Sequence, residues 1–273
     1  MDDRCSTCAF CEGDLALVAN YKTPPKGETN FGLEPYSRDL MICSLCGHIT
    51  NKHSYEFSSN FYNSAYRKST YGSETEANFK RIMRLPVSQS DNRHRVKYIK
   101  KFTSNLGWNM PSKCLDVGSG LGVFPAVLEE AGWIGLALEP DVNASISIQK
   151  LTGVTAIAGD LMKIDNLGSF DLITYNKVLE HVPSPIPLLA RSKHFLKPAG
   201  LVYLEVPDGE TALKVCGPNR EEFFIEHYDA YSKKSLEMLI TSAGFCPLSI
   251  TNVHEPSGKF TLRAFIQTME KRS

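Results

Sequence analysis

Two short cysteine pairs carry the first recognisable chemistry: Cys8-Ala-Phe-Cys11 and Cys43-Ser-Leu-Cys46. A C-x-x-C step sets two thiolates on one tight turn, and two such steps supply the four sulfur ligands of a tetrahedral zinc ion. Four thiolates close the coordination shell, so the expected role is structural, with no open position for an activated water. Cys5 precedes the first pair at the same spacing. The turn after Cys8 (Ala9-Phe10) is poorer than Glu12-Gly13 after Cys11 or Gly47 after Cys46, which makes Cys5 the surplus thiol. His48 and His53 are reserve ligands, and free structural cysteines are the plainer alternative.

A second set of groups lies further along. "CLDVGSGLG" carries Gly118, Gly120 and Gly122, with Asp116 just ahead. Such glycines let the backbone turn tightly and approach a ligand without a Cβ in the way. The spacing is G-x-G-x-G, not the G-x-G-x-x-G of dinucleotide folds. "LALEP" places Glu139 where an acid can accept both hydroxyls of a ribose, and "AGD" places Asp160 at the same rim. Proton-transfer candidates are His181, Glu205, Asp208 and the run Glu226-His227-Tyr228. His227 has an intrinsic pKa near neutrality, Glu226 stands ready to orient it, and Tyr228 or Tyr231 offers a hydroxyl. The plainer alternatives are a ligand-free glycine turn, solvent-facing acids, and histidines that only pack, cap a helix or shape a loop.

These residues need a scaffold, and the pattern from residue 113 onward supplies one. "KCLDVG", "WIGLALEP", "VTAIAGD", "FDLITYN" and "LVYLEVPD" read as strands, interleaved with the helices "FPAVLEEAG", "ASISIQKLTG", "PIPLLARSKHFL" and "KKSLEMLITSAG". Alternation of this kind implies βαβ units and a mostly parallel sheet. "CPLSITNV" and "KFTLRAFIQ" flank "HEPSG" and should pair as an antiparallel hairpin. Residues 1–60, turn-rich around "TPPKGETNFG", suit a small metal-closed sheet. Residues 61–110 read as a helical linker or lid. They include "FYNSAYRKSTYG", "SETEANFKRIMRL" with a Ser73/Glu76 capping box, and "SDNRHRVKYIKKFTSNLG". Residues 111–273 form the third unit.

The formal net charge is zero, which weighs against a polyanion such as nucleic acid as partner. The basic stretch between Lys80 and Lys101 reads as a solvated helix face. Its functional alternative is that Arg84, Arg93 or Arg95 pairs with a substrate phosphate. Apolar residues make up 42% and charged residues 22%, as in an ordinary globular protein, and no run is apolar enough to span a membrane. Without an export signal, the expected compartment is the reducing cytoplasm, and the expected partner is a small molecule, with oligomeric state open. Cys114, Cys216 and Cys246 read as small packing residues.

"LDVGSGLG", "LEPD", "AGDL", "FDLITYNKVLEHVPSP" and "LKPAGLVYLEVPD" together resemble the class I S-adenosylmethionine-dependent methyltransferases over roughly residues 113–267. The resemblance implies a Rossmann-like α/β fold with seven strands, mostly parallel with an antiparallel last strand, and S-adenosylmethionine as cofactor. It places Asp116 and Gly118–Gly120 (with Ser119 and Gly122) at the methionine end and Glu139 and Pro140 at the ribose. Asp160 and Leu161 would meet the adenine, and Asn176 and Lys177 would lie beside the sulfonium. The N-terminal ribbon and "FFIEHYDAYSKKSLEMLITSAGF" are similar to the C-methyltransferases of nucleotide-linked keto-sugars, which implies a saccharide or nucleotide-sugar acceptor, methylated at carbon or oxygen, and a Glu-His element beside it. That subgroup carries a further C-terminal domain outside the span of this sequence.

Two competing functions remain. Some ribosomal-RNA guanine methyltransferases share an N-terminal zinc site ahead of this fold, but theirs uses three cysteines and a histidine at tighter spacing. Enzymes acting on exocyclic amines carry Asn/Asp-Pro-Pro-aromatic where this chain reads Asn176-Lys177-Val178-Leu179. A non-catalytic zinc-ribbon adaptor is the other, against which the intact glycine loop and both strand-end acids argue.

Overall fold

The computed structural model describes residues 7–55 and 75–269. Cys5, Ser73 of the expected capping box and the aromatic stretch "FYNSAYRKSTYG" lie outside them.

The chain runs β1 (Leu15–Tyr21), β2 (Arg38–Cys43), β3 (Ile49–Lys52), α1 (Thr75–Met83), α2 (Asp91–Asn105), β4 (Lys113–Val117), α3 (Val123–Glu130), β5 (Ile134–Glu139) and α4 (Val142–Thr152). It continues through β6 (Thr155–Ala158), β7 (Phe170–Asn176), α5 (Pro185–Arg191), β8 (Leu196–Pro207), α6 (Gly209–Cys216), β9 (Asp229–Ala230), α7 (Lys233–Ser242), β10 (Phe245–His254) and β11 (Phe260–Thr268).

Seven strands form one sheet in the order β10-β11-β8-β7-β4-β5-β6. β4, β5, β6, β7 and β8 pair in parallel, and β11 enters antiparallel between β8 and β10. The central strands are buried on both faces, which explains their near-continuous apolar runs: "LITY" of β7 and "LVYLEVP" of β8 are fully enclosed. Leu115, Ile173, Val202, Leu204 and Leu236 fill one face, and Ile99, Phe124, Leu128, Tyr203 and Phe265 the other. The ring of Phe102 on α2 stacks on Phe265 of β11 with centroids 3.8 Å apart.

A second, four-stranded sheet has the order β1-β2-β3-β9. Its first three strands are a meander. The fourth comes from far down the chain, with Ile49 opposite Ala230 and Thr50 opposite Asp229. Nothing in the local pattern of "DA" marks it as a strand; its partner makes it one. α6, capped by Asp208 through Thr211 N at 3.0 Å, is also absent from the periodicity reading. The helix expected over "PIPLLARSKHFL" ends at Arg191 in a 3₁₀ turn, and β8 begins five residues before "LVYLEVPD". Cys216 differs from its expected packing role: it is exposed at the end of α6. Among the described residues, no helix is long and apolar enough to cross a membrane.

Candidate active site

The glycine turn follows β4 and leads into α3. Gly118, Gly120 and Gly122 all take left-handed backbone, with φ of 73°, 55° and 78°. A Cβ on Gly118 would stand 2.7 Å from Val178 Cγ2, and one on Gly122 would stand 2.9 Å from Ile148 Cγ1. Both sites therefore exclude side chains on conformation and on space. Ser119 is buried and donates its hydroxyl to Asp116 O at 2.9 Å.

Two acids frame this turn. Asp116 is buried and accepts from Thr174 Oγ1 at 2.7 Å and from Asn176 Nδ2 at 2.8 Å. Burial pushes its carboxyl up to about 6, against the pull of those hydrogen bonds. Glu139, at the end of β5, accepts from Gly120 N at 2.8 Å and Asp141 N at 3.2 Å; burial raises it as well. The strand-end acid thus braces the glycine turn, and each of its oxygens keeps a further lone pair. Pro140 is exposed beside it, Asp160 caps its own turn through Met162 N at 3.0 Å, and Leu161 is buried. Asn176, ending β7, has a buried Oδ1 without a hydrogen-bond partner. An orphaned acceptor beside a glycine cradle fits a ligand bearing N–H donors.

Beyond β7 the chain carries the second group. Lys177 sits at φ 59° and its Nζ donates to Thr261 Oγ1 at 2.5 Å, with Glu255 at 3.9 Å. Glu180 is fully buried and neither carboxylate oxygen has a hydrogen-bond partner; burial pushes it up to about 7. His181 and His227 meet edge-to-face, centroids 4.6 Å apart. His181 Nδ1 lies 2.9 Å from Glu226 O, and His227 Nδ1 lies 3.0 Å from Glu222 O. A carbonyl only accepts, so both rings carry the proton on Nδ1 and a lone pair on Nε2. Burial lowers His181 to about 4; burial and then His181 hold His227 well below its ordinary value. Glu226 is pushed up to about 7 by burial. One ligand-type atom each from Glu180, His181 and His227 lies within 4.8 Å of the other two. The cluster brings together three groups able to exchange a proton, Glu180 buried and the two rings half-buried. Tyr228 donates its backbone N–H to Glu180 O at 2.7 Å, whereas Tyr231 is enclosed against Phe10 and His48.

Two expectations change behind this wall. Arg95 is buried, not a solvated or phosphate-facing residue: it grips Glu205 through Nε at 2.6 Å and Nη2 at 2.5 Å. Burial works to raise Glu205, but Arg95 and Arg263 outweigh it and hold the carboxylate well below the usual range, which removes Glu205 as a base. Asp208 is engaged as the α6 cap and by Asn252 Nδ2. Arg93 pairs with Glu130 at 2.8 Å.

The four ribbon cysteines also converge. Cys8 Sγ is 3.6 Å from Cys46 Sγ, Cys11 Sγ is 3.3 Å from Cys43 Sγ, and all four lie within 4.8 Å of one another. Thiolates about 2.3 Å from a tetrahedral zinc stand roughly 3.8 Å apart, so the donor set and spacing fit that ion. Gly47 takes the left-handed knuckle position at φ 71°, but in the first knuckle Glu12 takes it, at φ 59°; a Cβ on Gly13 would stand 2.8 Å from the Leu45 side chain. His48 is engaged elsewhere, with Asp229 at 2.9 Å and Ser235 at 3.3 Å, and His53 Nδ1 bonds Tyr55 O at 3.1 Å.

Sequence reasoning missed Glu180, Glu28, Arg38 and Asn51. Glu180 lies inside the quoted "VLEHVPSP", where a glutamate amid buried neighbours was the available signal. The other three have none: Asn51 and Glu28 bond residues 223–227, far along the chain, and Arg38 matters only through its bonds to those two.

The profile of the methyltransferase-domain family matches residues 89–250, more than half of the chain. The ubiquinone biosynthesis O-methyltransferase of Methylococcus capsulatus is 30% identical over 116 residues, 40% of this chain and 47% of that protein. The enzyme of the same name from Nitrosococcus oceani is also 30% identical, over 40% of this chain and 48% of its own length. The chain thus spans about half the length of the curated relatives it matches. Among solved structures, the 1,6-didemethyltoxoflavin-N1-methyltransferase of Burkholderia thailandensis, with bound S-adenosylhomocysteine, superposes at TM-score 0.58 and 19% identity, over 91% of this chain and 100% of that one. The magnesium protoporphyrin IX methyltransferase of Synechocystis superposes at TM-score 0.55 and 17% identity, over 77% of this chain and 98% of that one. At these identities the likeness shows the fold.

Proposed function

The chain belongs to the methyltransferase-domain family, and on that premise we propose that it moves the methyl group of S-adenosylmethionine to a small-molecule acceptor held beside Glu180, His181 and His227. When bound, that cofactor supplies a methyl group already activated on a sulfonium. The protein's work is to place the acceptor in line and take up its proton. Asn176 Oδ1, orphaned beside the cradle around Gly118, is the observation of fit: it would accept from the cofactor's amino group. Glu139, with Pro140 beside it, would take the ribose hydroxyls while its backbone bonds hold the Gly118–Gly122 turn, with Asp160 and Leu161 toward the base.

The observation that carries the acceptor side is the matched pair of imidazoles. Each is fixed by Nδ1–H on a main-chain carbonyl, so each presents Nε2 as an acceptor. Burial holds His227 well below its ordinary value, which favours the neutral ring a base must have. It would take the acceptor's proton as the acceptor atom bonds to the methyl carbon and the sulfonium leaves as a neutral thioether. Glu180, pushed up to about 7 and within 4.8 Å of both rings, would share that proton, and Glu226, also near 7, and Tyr228 belong to the same loop as His227.

Support for a saccharide or nucleotide-sugar acceptor is the ribbon joined to the Glu226-His227 segment, the layout that resembles the sugar C-methyltransferases. The relatives named as O-methyltransferases make a phenolic hydroxyl the second reading. Cys8, Cys11, Cys43 and Cys46 would hold zinc as a closed structural site. The test is methyl transfer from isotopically labelled cofactor to a panel of nucleotide-sugars and of phenols. Turnover with a nucleotide-sugar that His227→Ala lowers at least about 100-fold, within the range of general-base contributions, is expected. Turnover only with phenols overturns the sugar reading, and full turnover in His227→Ala removes that residue as the base.

A further inference from the structure

The loop that carries Glu226, His227 and Tyr228 is not held chiefly by its own domain. Three of its main-chain carbonyls are gathered by one ribbon side chain. Asn51 Nδ2, on β3, lies 3.1 Å from Phe223 O, 3.2 Å from Phe224 O and 2.7 Å from His227 O. Its backbone N–H donates to Tyr228 O at 2.9 Å, and Thr50 Oγ1 to the same oxygen at 3.2 Å.

The amide is itself fixed. Arg38 on β2 donates Nη1 to Asn51 Oδ1 at 2.8 Å, which settles which end of the amide faces the loop. Arg38 also donates Nε to Tyr36 Oη at 2.7 Å and pairs through Nη2 with Glu28 at 3.0 Å, all buried. The other oxygen of Glu28 accepts the backbone N–H of Ile225. A ring therefore runs Arg38–Asn51–loop–Glu28–Arg38, and within it every contact with the loop comes from the ribbon, while Glu180 O and His181 Nδ1 hold Tyr228 N and Glu226 O from the other side.

The ring is in register with the cysteine knuckles. Cys43 N donates to His48 O at 2.8 Å and Gly47 N to Cys43 O at 3.0 Å, which launches β3 directly from the second knuckle. β3 then places Asn51 opposite Leu40. Ser232 Oγ and Lys234 Nζ, downstream of the loop, bond back to Cys46 O and Leu45 O.

From this geometry we infer that Asn51, braced by Arg38 and Glu28, is the positioning residue for the His227 loop, so that the ribbon sets the acid–base geometry and leaves cofactor binding to the glycine turn. The inference rests on the reading of His227 as the acceptor base, but it can fail separately. His227→Ala turnover tests the base; the form and titration of the His227 ring in Asn51 variants test the positioning.

The experiment is histidine ¹⁵N NMR on the full chain, wild type, Asn51→Ala, Asn51→Asp and Asn51→Ser, each with its zinc content checked and S-adenosylhomocysteine affinity measured by titration calorimetry. Alanine removes the donor, aspartate turns it into an acceptor, and serine keeps a single donor should alanine fail to fold. The wild-type His227 ring should show one neutral form, protonated at Nδ1, with its titration held below the ordinary value. In the variants it should mix both neutral forms and titrate higher than in the wild type, toward the ordinary value near 6.5. S-adenosylhomocysteine affinity should stay within about twofold. A His227 ring unchanged in all folded variants overturns the inference. So does a loss of S-adenosylhomocysteine affinity that parallels the change in the ring, because that would mark a general loosening.

Discussion

The glycine rim and the histidine loop both gather acids and main-chain groups, but they are built in opposite ways. The rim is local: Gly118, Gly120 and Gly122 lie within five residues, and Glu139 reaches them from the adjacent strand through Gly120 N. The histidine loop is assembled across the chain, with Asn51 bonded to residues 172 to 176 positions away. A local site needs only its own strand–turn–helix unit. A site assembled at long range depends on a second sheet, and β3 pairing with β9 supplies it.

The largest expected effect tests what the two regions share. Arg95 and Glu205 form a buried pair behind both, with Glu205 O also accepting Lys177 N at 2.9 Å. Arg95→Ala leaves a buried carboxylate with Arg263 as its remaining cation, and should cost about 3–5 kcal/mol. In thermal unfolding that is a fall in Tm of roughly 10 °C, and S-adenosylhomocysteine affinity and the His227 ring should both suffer. An unchanged Tm would mean the pair is not a common support.

Gly118→Ala should separate the regions. The new methyl meets Val178 at 2.7 Å in a left-handed backbone, a strain of about 1–3 kcal/mol. S-adenosylhomocysteine affinity should fall at least about tenfold, while the His227 ring keeps its single form. If calorimetry shows full affinity, the glycine turn is not the cofactor cradle.

A smaller effect distinguishes the regions by pH. Glu180 has a folded pKa near 7, above an unfolded value near 4.3. The folded state therefore binds the extra proton between these values. Stability from Glu180 is complete below about pH 4.3 and is lost as pH rises through 7. His181, lowered to about 4, has the opposite sign: its contribution is complete above about pH 6.5 and is lost as pH falls toward 4. Glu180→Gln should be more stable than wild type at pH 8 by ~1–3 kcal/mol, and the two should converge below pH 5. Denaturant unfolding at both pH values checks this, and a constant difference would contradict it.

The same contrast explains what was legible in the sequence. β4 with its glycine turn, β5 ending at Glu139 and β7 ending at Asn176 could be read because strand period, glycine spacing and terminal acid are all local signals. The paired cysteines were legible for the same reason, and their sulfurs do converge. Asn51 sits in "ITNK" with no motif, and Arg95 reads as one more cation in a basic helix until Glu205 is seen against it. β9 is two residues long and exists because β3 offers an edge. Glu180 was written inside a recognised segment, yet its isolation became visible only once both oxygens were found buried without a partner.

The most direct test of the central claim, that the glycine rim binds S-adenosylmethionine, is titration calorimetry of S-adenosylhomocysteine into the wild type and Glu139→Ala. The prediction is one site per chain, with affinity at least about tenfold weaker in Glu139→Ala, a difference of about 1.4 kcal/mol. No binding to the wild type, or equal affinity in both proteins, would contradict it.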